Sequence, residues 1–130
     1  MTGLKKEIMI TEAIQTTVGA IITNTYVTIG DEEIAAPFCV HSEQELPPNL
    51  LKEGVHSFNY AVEIMIVDTL PDNVKTKVDL VRAAIEALAG TTVNSTQFLA
   101  VNYEGDDPGF DQESRLYGNN LRFMIETKTR

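Results

Sequence analysis

Asp106, Asp107, Asp111 and Glu113 crowd four carboxylates into one short stretch. Clustered oxygen ligands are what Ca²⁺ takes, but these lack the alternating ligands and late bidentate Glu of an EF-hand loop. With Gly105, Pro108 and Gly109 among them, they predict an exposed, solvated acidic loop from Glu104 to Glu113. Cys39 and His41 sit two apart on an expected strand and therefore share a face. With His56 they would make a ligand set for Zn²⁺, but no recognised ligand-pair spacing is present. Cys39 reads instead as a small apolar residue and the histidines as edge or loop residues. Glu63 lies mid-strand among apolar residues, where burial would raise its pKa and make it a candidate acid. The plainer reading turns it to an open face or a neighbouring subunit. No nucleophile elbow, Gly-rich phosphate loop or metalloprotease motif is present. No catalytic residue, metal or cofactor is expected, and the chain does not read as an enzyme.

The 130 residues suit one domain, and a hydrophobic content of 43% suits a packed core. The net charge of −9, with scattered Lys and Arg, argues against a sequence-specific or general nucleic-acid binder. An acidic surface can still let DNA pass without sticking. A single cysteine leaves no internal disulfide to imply an oxidising compartment. No stretch approaches the roughly 20 apolar residues of a membrane span, and Lys5–Ile10 is too short for a signal-peptide core. A soluble intracellular protein with no membrane partner is expected.

The elements that must position these groups are legible from periodicity. Leu4, Ile8, Thr11, Ile14, Val18 and Ile22 share a helical face, and the β-branched run around Gly19 should end that helix between Val18 and Asn24. Tyr26–Ile29 suggests a short extended piece and Gly30–Glu32 a turn. Pro37–Ser42 reads as a strand, and Glu43–Gly54, with Pro47 and Pro48, as a loop. Val55–Val67 is the clearest strand, with Phe58, Tyr60, Val62, Ile64 and Ile66 turned to the core. Pro71 and Asp72 suit a helix start, and Val74, Val78, Val81, Ile85 and Leu88 make one apolar stripe stopped at Gly90. Gln97–Tyr103 and Leu121–Thr127 read as strands, with Gly118, Asn119 and Asn120 as a bulge or bend. The expected fold is α+β, one domain over residues 1–130. It has two helices on one face of a largely antiparallel sheet of about four strands, in the order α-β-β-α-β-β.

This order of elements resembles the phage tail-completion family, which includes the tail terminator proteins of long-tailed phages and prophages. The stretch Phe58-Asn59-Tyr60-Ala61-Val62-Glu63-Ile64, the helix after it, and Asp111-Gln112-Glu113-Ser114-Arg115-Leu116-Tyr117 leading into Leu121–Ile125 carry the resemblance. It covers most of the chain from Pro37 onward, and its motifs are patterns of fold. The resemblance implies a structural assembly protein that caps the tail tube and joins it to the head connector. It implies a non-covalent homo-oligomeric ring, a hexamer, located in the host cytoplasm during assembly and then in the virion tail. The partners would be further copies, the tail-tube protein and the head-connector protein. Glu63, Asp106, Asp107, Asp111, Glu113 and Arg115 are then the candidate interface or lumen residues. The rival readings are a small cytosolic adaptor or ligand-binding module on a ferredoxin-like sheet, and an enzyme using Glu63 or His41.

Overall fold

The computed structural model describes residues 2–27, 36–47 and 57–129. Helix α1 spans Thr2–Gly19, followed by strands β1 (Thr25–Tyr26), β2 (Phe38–Glu45) and β3 (Phe58–Asp68). Helix α2 (Pro71–Glu86) leads to β4 (Thr92–Val93), β5 (Thr96–Asp111) and β6 (Leu116–Thr129). The strands form one six-stranded sheet in the order β1-β2-β3-β6-β5-β4. It is mixed, because β1 runs parallel to β2 while every other pair is antiparallel.

The expectation of about four strands in the order α-β-β-α-β-β is thus wrong. The described residues form a curled half-barrel of six strands with two helices. The two additional strands, β1 and β4, have only two residues each, too few for a period-two pattern to register, although β1 overlaps the start of the extended piece expected at Tyr26–Ile29. The Asn94–Ser95 turn between β4 and β5 has φ of 48° and 67°, the left-handed pair of a tight hairpin turn. Bulges on β5 at Phe98/Ala100 and Tyr103/Gly105 add local bend and twist to that edge.

The core follows the periodicity closely. Tyr60, Val62, Ile64 and Ile66 of β3 are buried with Leu121, Phe123 and Ile125 of β6. The α2 stripe of Val74, Val78, Val81, Ile85 and Leu88 joins the same cluster, as do Ile10, Ala13, Ile14 and Val18 of α1. Pro71 opens α2 without a side-chain cap, and Gly90 stops the chain after it with φ 83°. Helix α1 ends at Gly19, inside the expected window, and Thr25 Oγ1 closes the following turn onto the Ile22 carbonyl.

Candidate functional site

The largest departure from the sequence reading is at the acidic segment. Glu104–Asp111 is not a loop but the outer half of β5, paired with β6 from Gly105↔Arg122 to Asp111↔Leu116. Its turn is only residues 112–115, closed by the Arg115 amide donating 2.8 Å to the Asp111 carbonyl, with Arg115 at φ 59°. Gly118, Asn119 and Asn120 mark no break: β6 runs through them, and the irregularities fall on β5. Pro108 and two glycines suggested a loop, yet an edge strand accepts both residue types. β4 pairs only with Thr96 and Gln97, so the rest of β5 is a sheet edge. Bulges, a proline and charges are the usual devices that keep such an edge from pairing with a stray strand.

Being a strand, the segment divides its acids between two faces. Asp106 lies on the helix-covered side: it accepts from the Tyr103 hydroxyl at 2.8 Å and from Asn119 Nδ2 at 2.7 Å. Those two donors hold its carboxyl below the ordinary carboxylate range. Burial, and then the Asp106 carboxylate, push the Tyr103 phenol up. Arg82 of α2 sits over the Tyr103 ring, 3.8 Å from its centroid, and Tyr103 tilts against Phe123 at 5.4 Å. Asp107 is on the opposite face, 3.3 Å from Arg122 Nε. Glu63 is exposed on that bare face, where Asn120 Nδ2 donates to it at 2.6 Å. Asp111 accepts from Ser114 Oγ at 2.6 Å, the first reason its carboxyl also lies low. Glu113 and Arg115 are exposed in the turn.

The structure therefore brings Glu63, Asp107 and Arg122 to one bare face, sends Asp106 to the other, and leaves Asp111, Glu113 and Arg115 at the hairpin tip. Sequence reasoning missed Arg82, Tyr103, Asn119, Asn120 and Arg122. Asn119 and Asn120 reach partners 13 and 57 positions away, and Arg82 and Arg122 meet Tyr103 and Asp107 on another element; only Tyr103 and Asp106, three apart on β5, were close in sequence.

Two shallow clefts flank the hairpin neck. One, of about 370 Å³, lies between α2 and the hairpin, with Lys75, Arg82, Tyr103 and Asp106 at its rim. The other, of about 440 Å³, lies among Phe38, Met65, Val67, Phe110 and Leu116. Phe110 is 49% exposed beside Tyr117, with ring centroids 4.6 Å apart. Neither cleft includes His41 or Glu63.

Cys39 is buried, which pushes its thiol up to about 12 and leaves it neutral and unreactive. Cys39 and His41 do share a face of β2, but that face is the core rather than an edge. Glu43–Glu45, expected in a loop, continue β2 against β3. His56, the turn at Gly30–Glu32 and most of the Glu43–Gly54 loop lie outside the described residues. Among the described residues, no group of three His, Cys, Asp or Glu side chains is placed to hold a metal, and no helix is long and apolar enough to cross a membrane.

No protein-family model matches the chain, and no curated protein matches it. The fold nevertheless has solved counterparts. A chain of the structure described as "Virion of native gene transfer agent (GTA) particle" superposes with a TM-score of 0.71 at 12% identity, over 90% of this chain and 92% of its own length. A second solved chain covers 94% of each partner at 10% identity, but its TM-score of 0.49 gives it no weight. At 12% identity the likeness is one of fold.

Proposed function

We propose that this protein is a structural subunit of a phage-type virion, and more finely a tail-completion protein. In that role it caps the tail tube and joins it to the head connector as a non-covalent ring. The observation that carries the reading is the whole-chain superposition, at TM-score 0.71, on a chain from a virion particle. The family resemblance from Pro37 onward points the same way. A bare sheet face, an edge strand and a hairpin tip with an exposed Phe110 offer surface for contacts between subunits and with neighbours. A closed ring requires two different patches on each subunit, related by rotation. The action is assembly, without a chemical step.

The split of the acidic residues refines the lumen idea. Asp106 is committed to Tyr103 and Asn119 within the subunit. Asp107, Asp111 and Glu113 are the exposed acids that would face a DNA-conducting channel and repel the phosphate backbone.

The test is sedimentation and electron microscopy of the purified protein mixed with cognate tail tubes. Capped tubes of defined length support the reading; persistent lack of binding to those tubes removes it. Replacing Asp107, Asp111 and Glu113 by Asn or Gln should leave capping intact and slow DNA ejection, more so at low salt. Failed capping would place these residues at an interface instead.

A further inference from the structure

One polar cluster lies under α1, away from both clefts. The core-facing positions of β2 are Cys39, His41 and Glu43, opposite Ile66, Ile64 and Val62 of β3. A His and a Glu at core positions break the apolar alternation of a strand, and such breaks mark places where more than packing is decided. His41 and the Glu43 side chain are 0% and 1% exposed. Nδ1 of His41 lies 2.5 Å from Glu43 Oε2, and its Nε2 lies 2.6 Å from Gln15 Oε1 on α1. Gln15 Nε2 donates to the Thr25 carbonyl at 2.8 Å, which fixes the amide so that its oxygen faces the ring.

The proton count follows from these bonds. An amide oxygen only accepts, so Nε2 must carry a hydrogen. The bond between Nδ1 and Glu43 needs a second hydrogen, held by the ring or by the carboxyl. On the ring it makes a charge-assisted bond, and it gives the buried carboxylate a counter-charge that no other described residue supplies.

We propose that Gln15, His41 and Glu43 form a proton-dependent latch, in which the doubly protonated His41 ring bolts α1 to β2 and lets go when it loses a proton. When the ring loses a proton, the remaining hydrogen stays on Nδ1 against the charged Glu43 acceptor, so the bare Nε2 lone pair would face Gln15 Oε1 and the bond that joins β2 to α1 would turn repulsive. Rising pH therefore loosens α1. Among the described residues the groups around the ring do not compensate: α1 offers neutral Gln15, β1 offers Thr25, and β3 offers Ile64 and Val62. On β2 itself Cys39 is uncharged, and Glu45, two residues past Glu43 along the same face, is a second acid. Helix α2 is seated by an apolar stripe and serves as the internal control.

The experiment is nitrogen-15 NMR of the imidazoles in the full chain, with His41 assigned by difference against His41→Gln. With the latch closed, both ring nitrogens of His41 should be protonated. As the ring titrates, amides from Ile10 to Val18 should lose protection from hydrogen exchange by roughly tenfold relative to those from Val78 to Ile85. Glu43→Gln should leave a singly protonated ring and abolish that difference. A ring that carries one proton throughout the pH range in which the protein stays folded, or α1 protection indifferent to pH, would overturn the latch. Both are read on the unaltered protein, so a variant that fails to fold does not block the decision.

Discussion

The two faces of the central strands follow different rules. On the covered face, Tyr60, Val62 and Ile64 of β3 and Leu121, Phe123 and Ile125 of β6 are at most 2% exposed. On the bare face, in the same strands, stand Glu63, Met65, Asn120 and Arg122, and Met65 is 42% exposed. The covered face is constrained by the exclusion of water, which admits apolar groups and a matching helix stripe. The bare face escapes that constraint, and packing does not fix its composition. Fold information thus sits on one side of the sheet, and the other side is free of it.

The strongest way to break this contrast is to truncate one residue from each side. Ile85→Ala, beneath α2 at 0% exposure, should cost about 2–5 kcal/mol in denaturant melts. Met65→Ala on the bare face should stay within about 0.5 kcal/mol. Similar losses at the two sites would show that the bare face is load-carrying core as well.

The seam between strand and helix gives the next largest effect. Asp68 is 2% exposed, and the Lys77 ammonium pairs with it. Burial pushes its carboxyl up, but Lys77, the Thr69 amide and Asn73 together outweigh that and hold it below the ordinary range. Lys77→Met should cost roughly 1–3 kcal/mol at neutral pH, since a buried carboxylate loses its charged partner. A depressed carboxyl stabilises the fold above its unfolded value and stops doing so as pH falls through its folded one. The gap between wild type and variant should therefore close in acid; a constant gap would assign the loss to packing of the lysine stem.

The bulge on β5 gives an effect of similar size. Gly105 has φ 115°, and a Cβ there would meet Arg122 Nη2 at 3.3 Å. Gly105→Ala should cost about 1–3 kcal/mol through backbone strain, read by thermal melting. A variant as stable as wild type would mean that the bulge relaxes, sharpening the view that this edge is held loosely. The smallest stability effect belongs to Asp107→Asn. Its partner Arg122 is 46% exposed and Asp107 is 65% exposed. Exposed pairs contribute at most about 1 kcal/mol and often nothing measurable. The melt should barely move.

The covered face was readable because burial imposes a period. The alternation from Phe58 to Ile66 and the stripe from Val74 to Leu88 recur in the structure as the core. The bare side was not readable in the same way. Asp106 and Asp107 are neighbours in sequence, but strand geometry sends them to opposite faces, and nothing in their local spacing said that β6 would pair with them. The polar cluster was also hidden, since Gln15 and His41 are separated by 26 positions.

The sequence by itself determined where the apolar seams lie, because the exclusion of water acts on each residue according to the period of its own element. It also determined that the chain carries an acidic charge of −9 and none of the local catalytic motifs. Tertiary structure alone decided that the acidic stretch is an edge strand, that β1 and β4 extend the sheet to six strands, and that His41 is enclosed between an amide and a carboxylate. Those outcomes depend on which distant backbone supplies the missing hydrogen bonds, and that partner is chosen by the assembled sheet.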